Sequence, residues 1–243
     1  MVDQWAPFAV RRAGPSWKTG YSFAGESGPK RGEVDHSAEG FWPGIYSRLD
    51  GPDRASWHFT IGLGDRGLLD VQQHYALETH CWHAGDVDDD GAVAANLDFV
   101  GKEHLGQAGT PLNDFQLYWS ARITQWEQAQ TGRPRYALFD GWAPNRAGVW
   151  TLAEHRWVSD APTACPSGRI PWARFTALLR QEEDPMITLF GETALLGFWA
   201  VWAVMAAPGT SAGITRRWIR SPDALADLTE RMRGAGLRVP ATL

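Results

Sequence analysis

The 243-residue chain is 44% hydrophobic and 21% charged, an ordinary globular composition with length for one large domain or one domain and a small appendage. A net charge of −5 offers no basic face of the kind a nucleic-acid partner needs, and two cysteines, Cys81 and Cys165, are too few for a secreted disulfide scaffold. Fourteen tryptophans are many, but most Trp in such a chain is core, so the count hints only weakly at sugar stacking.

Residues 1–10 are mixed and run into Arg11 and Arg12. They lack the apolar run and cleavage site of a signal peptide, so a protein made in the cytoplasm and acting outside it is expected to need another route out. The first 30 residues, rich in Gly, Pro and Ser, read as an irregular lead-in. Gly32 to His36 reads as a strand that ends in chemistry. Ser56 to Leu63 reads as another, with Trp57, Phe59, Ile61 and Leu63 on one face and His58 on the other. Asp65-Arg66-Gly67 is a turn, and Leu68 to His74 is expected to return as a strand. Residues 86–96 form an acidic loop. Asp86, Asp88, Asp89 and Asp90 lack the spaced ligands and closing Glu of a calcium loop, so a solvated loop is expected. Asp98 to His104 is a further strand. A helix is predicted over 115–131, capped by Asn113 or Asp114 and stopped by Gly132. Its spacing puts Phe115, Tyr118, Trp119, Arg122, Ile123 and Trp126 on one buried face. Pro171 opens a second helix through Arg180, with Trp172, Phe175, Leu178 and Leu179 inward.

A short charged stretch ending at Pro185 marks a boundary between a main domain, 1–182, and a tail, 186–243. The tail carries six Arg against four acidic residues. Thr193 to Ala207 is apolar, but falls short of the roughly 20 residues a spanning helix needs, so buried strands are expected and no stable membrane insertion. Ser221 and Pro222 then start a helix that Gly234 stops. Phe198, Trp199, Trp202 and Trp218 are the tail's candidate glycan contacts, with core packing as the alternative for all but Trp218.

Catalytic zinc takes three ligands from His, Cys and carboxylates and keeps a fourth position open. His36, His155 and Cys165 are the best candidates, although the ten residues between His155 and Cys165 make no local knuckle. His80, Cys81 and His83 form a rival group, because Cys81 and His83 share a face if that segment is extended. The alternative for Cys81 is a small buried hydrophobe.

Five motifs occur in an order that resembles the zinc amidase family of phage lysins and peptidoglycan-recognition proteins. They are GEVDHSAEG at Gly32 to Gly40, ASWHFTIG at Ala55 to Gly62, CWHAGD at Cys81 to Asp86, VGKEHLG at Val100 to Gly106, and EHR…TACPSGRIPW over Glu154 to Trp172. The resemblance covers about residues 7–180; the tail carries none. The resemblance implies one zinc ion on His36, His155 and Cys165. It implies Glu103 as general base, which then returns the proton to the leaving amine of L-alanine. It places Thr163 where relatives use Lys or Thr for the developing oxyanion, with an ordinary loop hydroxyl as the alternative; it sets Trp82 and His83 along the substrate groove, and His58 either against substrate or as a packed strand residue. A Thr hydroxyl donates one hydrogen bond and no charge, so it should stabilise less than Lys.

Three positions depart from the family pattern. Trp57 stands where some branches carry a Tyr, which puts more weight on Glu103. Lys102 stands where an apolar residue is usual; if the strand is regular it points away from Glu103. Ser167 is inserted before Gly168.

The expected fold is α/β: a mixed central β-sheet flanked by helices, with a zinc cleft at one edge of the sheet and a small C-terminal α+β extension. The implied activity is hydrolysis of the N-acetylmuramoyl–L-alanine amide of peptidoglycan, as in a phage-type endolysin. A non-catalytic peptidoglycan-binding module and a zinc peptidase cutting within the stem peptide are the alternatives. Retention of all three ligands and Glu103 argues against the first. Oligomeric state is not legible.

Overall fold

The computed structural model describes residues 5–20, 30–85, 95–140, 147–159 and 161–180. The chain divides into Met1–Glu182 and Glu183–Leu243. The second unit, with the tail strands, tail helix and tail aromatics expected above, lies outside the described residues, as does the acidic run 86–90.

Seven strands form one mixed sheet among the described residues. They are β1 (Val10–Arg11), β2 (Gly32–Ser37), β3 (Phe59–Ile61), β4 (Val71–Gln73), β5 (Phe99–His104), β6 (Arg135–Leu138) and β7 (Val149–Glu154). Their order is β1-β4-β3-β5-β2-β7-β6. Neighbours are parallel except β3 and β4. Helices α1 (Trp42–Asp50), α2 (Ala95–Asp98), α3 (Asp114–Thr131), α4 (His155–Val158) and α5 (Trp172–Leu179) flank the sheet. The α/β class read from the sequence is the class observed.

The α3 boundaries follow from its ends. Asn113 accepts from the backbone N–H of Gln116 at 2.9 Å, and Gln116 reaches back to the N–H of Asn113 at 3.3 Å, a reciprocal capping box. Gly132 ends the helix at φ 66°, a left-handed turn that glycine adopts without strain. The helix differs from expectation in its faces. Gln116, Ser120, Thr124 and Glu127 are all buried alongside the apolar residues. Residues three or four apart form a stripe down one side of a helix, and this polar stripe meets a polar sheet face. A pattern of apolar residues cannot reveal a buried face that is polar.

The strand predicted over Leu68 to His74 is shorter than expected. Gly67–Asp70 is a 3-10 turn, and only Val71–Gln73 enters the sheet. Asp70 drives this: its carboxylate accepts from the backbone N–H of Gly64 (2.8 Å) and Arg66 (3.1 Å) and from the indole of Trp42 (2.8 Å). Those bonds hold the chain in a turn where alternation predicted extension. Likewise Trp57 precedes the ladder of β3, so the alternation does not reach it. It packs with Trp42, Ile45 and Tyr75 and donates to Thr60 Oγ1 at 2.7 Å.

Strand alternation divides the sheet residues between two faces. Glu33, Asp35, Lys102, Trp150 and Glu154 face α3 and α5, as hydrogen bonds from Lys102 to Ser120 and Thr124 and from Trp172 to Glu154 show. Val34 and Ala153 lie on the other face, packed with Phe99, Ala84 and Val158.

Candidate active site

The site sits on that second face, at the carboxyl ends of three adjacent parallel strands. The cleft expected at one edge of the sheet therefore lies at interior strands. This is where parallel α/β sheets hold ligands, because the chain leaves each strand there through a loop. In the register, Asp35 on β2 pairs with Glu154 on β7, and His36 on β2 pairs with Glu103 on β5. Glu103 in turn pairs with Thr60 on β3. His155 follows directly after β7. One row across the sheet thus carries His155, His36, Glu103 and Thr60.

Cys165 comes to this row on a loop tied down at several points. Its carbonyl accepts from the backbone N–H of Arg156 at 2.8 Å, which fastens it beside His155. Its Sγ accepts from the backbone N–H of Ser37 at 3.2 Å and lies 3.9 Å from Nδ1 of His36. Arg169 clamps the end of the loop. Its guanidinium is buried and donates to Thr110 O (2.8 Å), Ser37 Oγ (2.8 Å), His104 O (3.0 Å) and Leu105 O (2.7 Å). Gly106 makes room for it: a Cβ there would stand 2.4 Å from Nη2. Sequence reasoning passed over Arg169, because a charged residue in a motif gives no sign that it is buried.

His36, His155 and Cys165 each offer one ligand atom, and these atoms all lie within 4.8 Å of one another. The imidazole rings of His36 and His155 are 4.5 Å apart. The set fits zinc on chemical grounds. Burial, reinforced by His155 and His83, holds His36 well below the usual histidine range, so the ring is neutral and can ligate. Burial and the nearby Glu103 push the Cys165 thiol up to about 12, so its thiolate needs a bound cation to persist. The rival group dissolves: Cys81 is fully buried among Trp42, Leu49 and Tyr75, and burial raises its thiol to about 12.

Glu103 is part-buried, and its Oε2 is enclosed without a hydrogen-bond partner among the described residues. Burial raises the carboxyl to about 8, against the opposing pull of Arg169. Lys102 and His104, its chain neighbours, point to the opposite face and take no part. Thr163 Oγ1 accepts from the backbone N–H of Cys165 at 3.2 Å, which leaves its hydroxyl proton available.

Of the residues offered as substrate contacts, His58 and His83 both have their ring nitrogens engaged within the chain. His58 is fully buried; its Nδ1 accepts from the N–H of Gly101 at 3.0 Å, and its Nε2 meets the Thr79 carbonyl at 2.9 Å. His83 uses one nitrogen on His36 (3.2 Å) and the other on the Phe99 carbonyl (3.2 Å). Trp82 is part-exposed, 4.6 Å ring to ring from His80, with the Arg54 guanidinium 5.9 Å from its ring.

No family model matches the chain, and no curated protein matches it in sequence. Among solved structures it is similar to AmpD, crystallised as a selenomethionine derivative, at 20% identity and a TM-score of 0.54. That match covers 74% of this chain and 99% of the other. The fold is that of AmpD. Two further similar structures are the endolysin N-acetylmuramoyl-L-alanine amidase LysCS from Clostridium intestinale and a mutant endolysin from Bacillus subtilis. The first is 15% identical with a TM-score of 0.46, covering 74% of this chain and 99% of that one. The second is 17% identical with a TM-score of 0.44, covering 70% and 97%. The AmpD-like fold accounts for most of the described residues, and no helix among those residues is long and apolar enough to cross a membrane.

Proposed function

We propose that the chain is a zinc-dependent N-acetylmuramoyl-L-alanine amidase that cuts the bond between the glycan and the stem peptide of peptidoglycan, as a phage-type endolysin does. One observation carries the reading. Two imidazoles and a thiol converge at the strand ends, and the part-buried carboxyl of Glu103, one oxygen of which is enclosed without a partner among the described residues, stands in register with His36 on the same face. The motif resemblance and the AmpD-like fold support peptidoglycan as the substrate.

Zinc held by His36, His155 and Cys165 would supply a Lewis acid for water activation and carbonyl polarisation. The protein's own groups do the rest. Glu103 takes a proton from the attacking water and returns it to the departing L-alanine nitrogen. A carboxyl raised by burial toward neutrality suits both tasks, since a group that must accept and then donate works best near the ambient pH. Thr163 gives a single neutral hydrogen bond to the oxygen on which charge develops. Trp82 offers an aromatic face at the rim for sugar or peptide.

The test combines zinc content with the products released from purified peptidoglycan, for the wild type, Cys165→Ser and Glu103→Ala. The reading expects one zinc per wild-type chain and new L-alanine amino termini without new reducing ends. Glu103→Ala should keep the metal and lose turnover, and Cys165→Ser should lose the metal. A wild type that binds wall fragments but neither holds zinc nor releases product would make this a binding module. New termini inside the stem peptide would make it a peptidase.

A further inference from the structure

We infer that His83 is a positioning residue for the metal site: it fixes the proton of His36 on Nε2, so that Nδ1 is the nitrogen offered to a metal. The inference rests on the zinc reading above and names a role for a residue outside the ligand set.

The argument starts at a carbonyl. The Phe99 oxygen can only accept, and His83 Nε2 lies 3.2 Å from it, so that nitrogen carries a proton. A neutral imidazole has one N–H, which leaves His83 Nδ1 as an acceptor. His83 Nδ1 stands 3.2 Å from His36 Nε2, and two nitrogens at that distance need one proton between them. Only His36 can supply it. His36 Nδ1 then bears a lone pair, and this is the nitrogen 3.9 Å from Cys165 Sγ. The rings meet nearly edge to face, with centroids 5.3 Å apart and planes at 84°. The chain of bonds from Phe99 O through His83 to His36 thus selects one of two tautomers. The other tautomer would aim an N–H at the metal.

The surroundings show that this ring is placed and not merely packed. Asn96 Oδ1 accepts from three successive backbone N–H groups, those of His83 (2.7 Å), Ala84 (2.8 Å) and Gly85 (3.3 Å), which fixes the segment bearing the ring. Gly101 forms the floor beneath it: a Cβ at that position would stand 2.7 Å from Cγ of His83. Ligand histidines generally bond a partner through their second nitrogen, and removing the partner weakens metal binding by about 10- to 100-fold.

The experiment begins without metal. Long-range proton–nitrogen correlation spectra of the full-length, zinc-free chain report the tautomer of each histidine directly. Both His36 and His83 are expected as the Nε2–H form. Zinc affinity is then measured by chelator competition for the wild type, His83→Phe and His83→Asn. His83→Phe keeps a ring but no acceptor, so His36 should sample both tautomers and affinity should fall about 10- to 100-fold. His83→Asn places an oxygen near the lost Nδ1 and should restore the His36 tautomer and part of the affinity. A wild type with His36 protonated on Nδ1 overturns the inference. So does a folded His83→Phe whose His36 tautomer and zinc affinity match the wild type. A wild type with the expected tautomers that binds no zinc upholds the tautomer assignment and sinks the zinc reading alone.

Discussion

Strands β2 and β5 place Glu33, Asp35, Lys102 and His104 on the face covered by α3, and His36 and Glu103 on the other. Both faces bury carboxyl groups, and they treat them differently. On the covered face Lys102 lies 2.6 Å from Glu33 and 3.6 Å from Asp35. Glu33 also accepts from Thr124 (2.7 Å) and from the Trp150 indole (2.9 Å). Burial works against the Lys102 charge, but Asp35 and Glu33 outweigh it and raise its affinity for the proton. The face under α3 therefore gives its cation two carboxylates, although Asp35 Oδ2 and both oxygens of Glu127 are also enclosed there without a hydrogen-bond partner among the described residues. On the open face Glu103 has an enclosed oxygen with no partner among the described residues. What sets Glu103 apart is its place: it stands in register with His36, beside the candidate ligands, while the carboxyls under α3 are gathered around the Lys102 ammonium.

Replacing Glu103 with Gln gives the sharpest test of that contrast. Turnover should fall by about 10²–10⁴-fold, the usual contribution of a general base. Stability of the zinc-free protein should move the opposite way. The folded carboxyl is raised to about 8 from an ordinary value of 4.5, so the folded state binds more protons between those limits. The Glu103 contribution to stability is then fully present below pH 4.5 and is lost as pH rises through 8, and Gln should remove that dependence. Urea titrations at pH 5 and pH 8 read the difference directly. A variant equally inactive but no more stable at pH 8 would mean that Glu103 is not strained by burial. Lys102→Met should do the converse. It strands Glu33 and Asp35 without their cation and should lower stability by about 3–5 kcal/mol. The zinc affinity of the remaining folded molecules should change little.

The contrast also explains what was legible in the sequence. His36, Glu103 and His155 could be proposed from motifs at strand ends and Cys165 from a motif on the loop beyond α4, and the capping box of α3 was readable because its chemistry is local. The polar stripe Gln116, Ser120, Thr124 and Glu127 was not, since its partners Lys102 and Glu33 come from distant strands. Burial pushes Glu127 well above the ordinary carboxylate range, with Glu33 adding to the effect, whereas in sequence the residue reads as a surface charge. His83 stood out as an aromatic wall residue, but which way its nitrogens turn depends on Gly101, Asn96 and the Phe99 carbonyl. The 3-10 turn at Gly67–Asp70 was hidden for a similar reason, because its organiser, the Asp70 carboxylate, also binds Trp42 from another element.

Gly101→Ala probes the open face without touching a charged group. The added methyl meets the His83 ring at 2.7 Å and must displace it, because the floor is a strand fixed in the middle of the sheet. Overpacking of this kind costs about 1–3 kcal/mol of stability. The informative reading is again zinc affinity, which should fall alongside, since the ring can no longer meet His36. Loss of stability with unchanged affinity would separate the seat of His83 from the metal site.

The smallest expected effect falls on the covered face. Asn113→Ala removes the side chain that caps α3 and breaks the reciprocal bonds with Gln116. Loss of such a cap costs about 1 kcal/mol, which a thermal melt resolves as a drop of a few degrees. Asn113 also donates to the Leu63 carbonyl at 2.9 Å, so the loss should reach the turn beyond β3. The helix it caps lies over Lys102 and Glu33, on the far side of the sheet from His36 and Cys165. If the two faces are energetically separate, the melting temperature drops while zinc affinity and turnover hold. If zinc affinity falls with it, the network under α3 is coupled to the ligands through the strands they share, and the division between a structural face and a reactive face must be given up.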